Sequence, residues 1–105
     1  MEPEKEKNHK NKLLLQLNKE TFWNCDLKSM DYIKNKKAII KRIIQNGTEN
    51  DEKIMWKLYA FETIKNVAIN IDNMDKDRLL YISFVLKTKE KEFKCYKNKQ
   101  FQRIY

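Results

Sequence analysis

The sequence predicts an all-α fold: a small bundle of about four helices with flexible N- and C-terminal tails. Apolar residues recur at the spacing of one helix face through the middle of the chain. Capping residues stand at the ends of these stretches. Only one Gly and one Pro occur among 105 residues, whereas a β-sandwich or barrel needs turn residues about every 8–12 positions. The hydrophobic content of 41% is enough for one core.

The first clear helix is predicted over residues 31–46. The side chain of Asp31 can accept hydrogen bonds from the free N–H groups in the first turn of this helix. Gly47, the single glycine, is expected in the left-handed conformation that ends many helices. A helical wheel separates an apolar face from a basic one. The apolar face holds Ile33, Ile39, Ile40, Ile43 and Ile44, and the basic face holds Lys34, Lys37, Lys41 and Arg42.

Residues 48–72 predict either one kinked helix or two helices. Thr48 and Asp51 form a weak variant of the capping box. Two helices here would allow a helix-turn-helix arrangement. However, the second segment carries two acids and one lysine, where a groove-reading helix is expected to be basic. The expected buried residues are Ile54, Met55, Leu58 and Tyr59, then Phe61, Ile64, Val67, Ala68 and Ile71.

The last clear helix is predicted from a cap at Asp75 to about Lys87. Between Leu79 and Leu86 only Ser83 is polar. A helix that is apolar all round is typically buried on several sides. We therefore expect this helix to lie at the centre of the bundle or to form a subunit contact.

The chain divides into three predicted parts. Residues 1–12 are expected to be a disordered charged tail, 13–88 the helical domain, and 89–105 a basic and aromatic C-terminal segment that is a tail or an extended return to the core. The run "LLLQL" after the first tail fits a helical turn or a strand. No apolar run approaches the roughly 20 residues of a membrane span. We expect a cytoplasmic protein, in which the two cysteines are reduced.

The net charge of +8 is concentrated towards the two ends. Residues 13–47 carry seven basic and three acidic side chains, and residues 89–105 carry six and two. This charge favours nucleic-acid binding, although an AT-rich genome would also enrich lysine. The candidate nucleic-acid contacts are Lys34, Lys37, Lys41, Arg42, Lys94, Lys97, Lys99 and Arg103.

The sequence favours a non-enzymatic protein without a cofactor or a metal. One glycine cannot build a phosphate-binding loop. The single histidine, His9, lies in the charged tail, so neither a zinc set nor a Ser/His/Asp arrangement is expected. Cys25 is expected to be a small buried hydrophobe or an inert thiol, since a reactive cysteine needs a basic group beside it.

The stretch "ETFWNCDLKSMD" is either a binding site or part of the core. We expect a structural role in which the rings of Phe22 and Trp23 cover an open end of the bundle. Asp26 and Asp31 then bond backbone N–H groups. The alternative is a partner contact formed by Phe22, Trp23 and the polar-face residue Ile69.

Four stretches carry a resemblance to a known family: "FWNCD", "MDYIKNKKAIIKRIIQNG", "KIMWKLYAFETIKNV" and "MDKDRLLYISFVL", with the tail "EFKCYKNKQF" similar to the end of some members. Together they resemble a family of short bacterial proteins classed as a domain of unknown function. The chain has Asn24 where such proteins usually have Asp, and Ala60 where they usually have Gly. Members are often encoded beside AbiE-type nucleotidyltransferase toxins, so the resemblance implies an accessory or antitoxin-like partner.

Three hypotheses follow. The first is a binding protein that contacts a nucleotidyltransferase-like toxin. The second is a DNA- or RNA-binding regulator that uses the basic helix 31–46 and the C-terminal tail. The third is a self-associating structural domain, a homodimer formed through the apolar helix.

Overall fold

The computed structural model describes residues 4–97, and every regular element in that range is helical. The predicted all-α class is therefore confirmed. Two short 3-10 turns, Leu14–Gln16 and Glu90–Glu92, accompany six helices. The helices are α1 (Glu4–Leu13), α2 (Lys36–Asn46), α3 (Glu49–Leu58), α4 (Phe61–Ile69), α5 (Lys76–Val85) and α6 (Lys94–Lys97).

The chain forms two compact units, Met1–Ala60 and Phe61–Tyr105. The predicted helical domain 13–88 contributes to both. In the first unit, α3 packs against α1, α2 and the first 3-10 turn. Its fully buried side chains include Leu14, Ile39, Ile40, Ile43, Ile44 and Met55. The buried isoleucines are the apolar face predicted from the wheel, with the exception of Ile33.

Helix α1 occupies most of the segment that the sequence suggests is a charged tail. Its last residue leads into the 3-10 turn that buries Leu14. Of the two structures expected for "LLLQL", a helical turn or a strand, the helical turn is therefore the one observed. The side-chain oxygen of Asn11 accepts a hydrogen bond from the Tyr32 N–H at 2.9 Å. The Lys10 ammonium lies 5.4 Å from the centre of the Tyr32 ring. Composition alone does not reveal these contacts.

Helix α2 begins five residues later than predicted. Asp31 does cap backbone groups, accepting from the N–H groups of Ile33 and Lys34 at 2.8 and 3.0 Å. These bonds close a turn before the helix begins. The Asn35 side chain also accepts a hydrogen bond from the Asp31 N–H at 2.8 Å, which holds the chain in this turn. Ile33 lies in this turn and is 45% exposed. Its predicted burial is therefore wrong.

The end of α2 corrects the prediction for Gly47. Its φ and ψ are −72° and 159°, which is extended backbone rather than left-handed. The glycine serves a close approach instead. A Cβ there would lie 2.5 Å from the Ile43 carbonyl oxygen, which also accepts the Gly47 N–H at 2.7 Å. The extended backbone leads directly into Thr48, the cap of α3.

Residues 48–72 form two helices rather than one kinked helix. Thr48 and Asp51 make a complete capping box, and Ile54, Met55, Leu58 and Tyr59 are buried as predicted. The backbone is extended at Tyr59, and α4 starts at Phe61. On α4 and the turn after it, Ile64, Ala68 and Ile71 are buried as predicted. Val67 is only half-buried and Phe61 is exposed, so the predicted burial of Phe61 is wrong.

Helix α5 has a buried face and an exposed face, and both carry apolar side chains. It buries Leu79, Ile82 and Ser83 and exposes Leu80, Tyr81 and Phe84. The prediction that this helix is buried on several sides as the central helix is therefore wrong, whereas a subunit contact remains a prediction. Asp75 occupies the cap position without a side-chain hydrogen bond to the first turn. The expected side-chain cap is absent among the described residues.

After α5 the chain returns to the core of the second unit. The 3-10 turn Glu90–Glu92 packs against α5 and α6. Phe93 and Cys95 are fully buried. The predicted return to the core therefore occurs in residues 89–97, through helical turns rather than an extended segment. Burial of the apolar ring of Phe93 favours this return.

Candidate binding groove around Trp23

The two neighbouring aromatic residues Phe22 and Trp23 point in different directions. Phe22 is 2% exposed and Trp23 is 79% exposed. Both lie in a series of turns in which the Phe22 N–H donates to the Asn18 carbonyl and the Cys25 N–H donates to the Phe22 carbonyl, at 3.3 and 2.9 Å. The prediction that Trp23 covers an open end of the core is therefore wrong, whereas the ring of Phe22 is buried there.

Asp51 fixes the turn that precedes Trp23. The carboxylate is fully buried. It accepts hydrogen bonds from the Asn18 N–H at 2.8 Å, from the Thr21 hydroxyl at 2.6 Å and from the Thr48 N–H at 3.0 Å. A buried carboxylate needs such donors because burial removes its water. The backbone beneath Trp23 is thereby attached to the start of α3.

A shallow groove of about 760 Å³ lies between Trp23 and α2. We call it the Trp23 groove. Its walls combine an exposed indole, two cations, the carboxylate of Glu20 and amide side chains. The residues that matter here are Trp23, Asn24, Lys41, Arg42, Gln45 and Asn46.

The two cations of the Trp23 groove are held differently. A guanidinium N–H of Arg42 donates to the side-chain oxygen of Asn24. The same guanidinium lies 5.8 Å from the centre of the Phe22 ring. Arg42 is therefore a fixed positive wall, in line with cation–π pairing. Lys41 is exposed, and it forms no ion pair within the described residues, so its ammonium can reach a ligand.

A second, more apolar depression borders the other side of Trp23. It measures about 930 Å³ and is lined by Leu15, Trp23 and Leu27 together with the charged residues Lys19, Glu20, Asp26 and Lys28. Asp26 helps to shape it by accepting a hydrogen bond from the Lys28 N–H at 3.1 Å. The expected turn role of Asp26 is confirmed. Trp23 thus stands between a basic groove and an apolar depression.

The other predicted contact residues are spread over the chain. Lys34, Lys37 and Lys97 are exposed. Lys94 pairs with Asp72 at 2.9 Å, an exposed pair of small expected stabilisation. Phe22 lies in the core and Ile69 is half-buried. Lys99 and Arg103 lie outside the described residues.

The groups with catalytic potential do not converge. In residues 4–97, no three His, Cys, Asp or Glu side chains come together as metal ligands. His9 is exposed on α1. Both cysteines are free thiols, and burial raises the pKa of the Cys95 thiol above its ordinary value. The Cys95 thiol therefore stays protonated at neutral pH.

Part of the chain matches the model of a known family. Residues 17–68 match the model of DUF6922, a family of unknown function. The expected resemblance to a domain of unknown function is confirmed for these residues, which include both walls of the Trp23 groove. The last landmark, "MDKDRLLYISFVL", lies beyond the match. No curated protein and no solved structure matches the chain. Among the described residues, no helix is long and apolar enough to cross a membrane.

Proposed function

We propose that this chain is a non-enzymatic binding protein and that Trp23, between its groove and the apolar depression, forms the contact surface. The supporting observation is the 79% exposure of an indole on a turn tied to Asp51. An aromatic side chain on a fixed backbone loses little freedom on binding. Tryptophan is also enriched among the residues that dominate interface energies.

The partner we propose first is a nucleotidyltransferase-like protein toxin, which would make this chain an accessory or antitoxin-like protein. The family resemblance supports this choice. The surface also supports it, since an apolar depression beside a large aromatic ring, with charged residues of both signs among its lining, combines the apolar core and the polar rim of a protein interface.

A pull-down with the nucleotidyltransferase-like product of the neighbouring gene tests this function. Trp23→Ala should weaken the complex about 30-fold, the loss expected for an interface hot spot. Its melting temperature should stay close to that of the wild type because the ring is exposed. Phe84→Ala, which removes a ring that is 83% exposed in the other unit, is the matched control. No complex at micromolar concentration, or wild-type binding by Trp23→Ala, would contradict the proposal.

The second candidate is a nucleic-acid-binding regulator. Lys41, Arg42 and Trp23 share one groove, and such a groove can combine phosphate contacts with stacking of an unpaired base. Binding of a fluorescent single-stranded oligonucleotide should then weaken steeply with added salt. Lys41→Gln should reduce the salt slope by about one, whereas Lys53→Gln, exposed on α3, should not. Salt-independent binding, or none at low salt, would remove this candidate.

A further inference from the structure

Helix α5 presents an apolar surface to solvent in the second unit. Phe84 is 83% exposed, and Leu80 and Tyr81 are 43% and 46% exposed. Residues three and four apart lie on one face of a helix, so these three side chains form a continuous patch. A groove of about 980 Å³ runs beside it, bounded by Leu80, Phe84, Val85 and Tyr96. A protruding ring next to an apolar groove is the shape that one copy can offer to another.

This face has an acidic residue at its N-terminal end and a mainly basic group, Lys87, Lys89 and Lys91 with Glu90, in the groove at its C-terminal end. Asp77 lies three residues before Leu80 and seven before Phe84, so it shares their face at the N-terminal end. Its neighbours Lys76 and Arg78 lie about 100° to either side. Lys87 lines the groove together with Leu80 and Phe84 at the C-terminal end. Asp77 and Lys87 are both exposed.

We propose that α5 pairs antiparallel with α5 of a second copy about a two-fold axis, forming a homodimer. When Leu80 of one copy meets Phe84 of the other, the same register brings the Asp77 end of each α5 to the end of the other α5 that Lys87 follows. A two-fold interface requires a surface that complements itself. Here the apolar pair and the charge pair satisfy that requirement in one register.

The small size of the face sets the strength of this association. Ten residues of helix span about 15 Å, so the buried area falls below that of a standard protein interface. We expect a dimer that forms at high micromolar concentration. Sedimentation equilibrium from about 10 µM to about 1 mM covers the relevant range.

The first test removes the apolar anchor. Phe84→Ala should raise the dissociation constant at least tenfold, and its far-ultraviolet circular dichroism should match the wild type because the ring is exposed. Trp23→Ala, in the other unit, should dimerise normally, which separates this inference from the proposed function. A wild-type chain that remains monomeric at about 1 mM would overturn the proposal. So would dimerisation unaffected by Phe84→Ala.

The second test exchanges the charges. Asp77→Lys alone and Lys87→Asp alone should each weaken the dimer about tenfold, since two pairs per dimer become repulsive. Asp accepts the left-handed backbone found at Lys87, so this variant should fold. The double variant Asp77→Lys with Lys87→Asp should restore wild-type association. A double variant as weak as the singles would overturn the antiparallel register.

Discussion

The carboxylate of Asp51 joins three segments of the first unit. The carboxylate accepts hydrogen bonds from Asn18, Thr21 and Thr48, and the backbone N–H of Asp51 donates to the Thr48 hydroxyl at 3.2 Å. These bonds keep the turn before Trp23 against the start of α3. The orientation of Trp23 therefore depends on a side chain 28 positions away in the sequence.

Replacing Asp51 should be costly. Asp51→Ala leaves several buried donors without acceptors, and we expect the free energy of unfolding to fall by about 2–4 kcal/mol. Urea denaturation followed by circular dichroism measures this change. Glu49→Ala, exposed in the same first turn, should lose about 0.3–1 kcal/mol through the helix dipole alone. Equal losses in the two variants would contradict a special role for Asp51.

The sequence could identify only part of this arrangement. The spacing of Thr48 and Asp51 predicts their capping interaction because a capping box is local. The bonds to Asn18 and Thr21 cross about 30 positions, and no local pattern encodes them. For the same reason the sequence could not decide which of the two rings, Phe22 or Trp23, points inward.

The helix ends show where glycine is and is not needed. Among residues 4–97, the left-handed position belongs to Lys87, with φ of 53°, rather than to Gly47. The Thr88 N–H donates to the Ser83 carbonyl, and the Lys87 N–H donates to the Phe84 carbonyl, at 3.0 and 3.2 Å. This is the Schellman pattern, which usually has glycine at its left-handed residue. A lysine there carries backbone strain.

Relieving that strain should stabilise the second unit. Lys87→Gly is expected to raise the free energy of unfolding by about 1 kcal/mol, because glycine adopts this conformation without a Cβ clash. Thermal unfolding at low concentration, where the chain is monomeric, measures it. Lys89→Gly is the control, since Lys89 has extended backbone and glycine should bring no gain there. Destabilisation by Lys87→Gly would show that the lysine stem contributes more than the strain costs.

The predictable helices are those with local signals. Helices α2 to α5 were expected because apolar periodicity and caps mark them. Helices α1 and α6 were not, since their packing depends on Leu14 and Phe93 at their edges. The exposure of one face of α5 was also hidden, because an apolar sequence does not reveal which face lacks a neighbour in the monomer.

For the whole protein, pH dependence above neutrality follows from Tyr59. Its hydroxyl donates to the Tyr32 carbonyl at 2.7 Å, and burial, followed by the charge of Asp31, raises its pKa above the usual value. Above about pH 10 the unfolded tyrosine loses its proton before the folded one does. The folded state then binds more protons, so the free energy of unfolding falls as pH rises. Below that pH the contribution is fully present.

Tyr59→Phe should flatten this alkaline slope. The baseline stability should also fall by about 1 kcal/mol through the lost hydrogen bond, so slopes rather than absolute values are compared between about pH 9 and 11.5. Tyr81→Phe, on an exposed ring, is the matched control. A slope unchanged by Tyr59→Phe would assign alkaline unfolding to other groups.

The two units carry different kinds of surface. The first has a basic groove and an aromatic ring within the segment matched by DUF6922. The second has the apolar face of α5, which lies beyond that match. Binding of a partner and self-association can therefore be separated by variants in different units.

The Asp51 connection also has an evolutionary consequence. Residue 51 is pleiotropic, because one substitution there alters a helix cap, a turn and the placement of an indole together. Lys41 and Asn46 are exposed and can vary without that burden. New specificity in the groove should therefore arise through those positions. A library built on this chain would retain Asp51 and diversify the exposed wall.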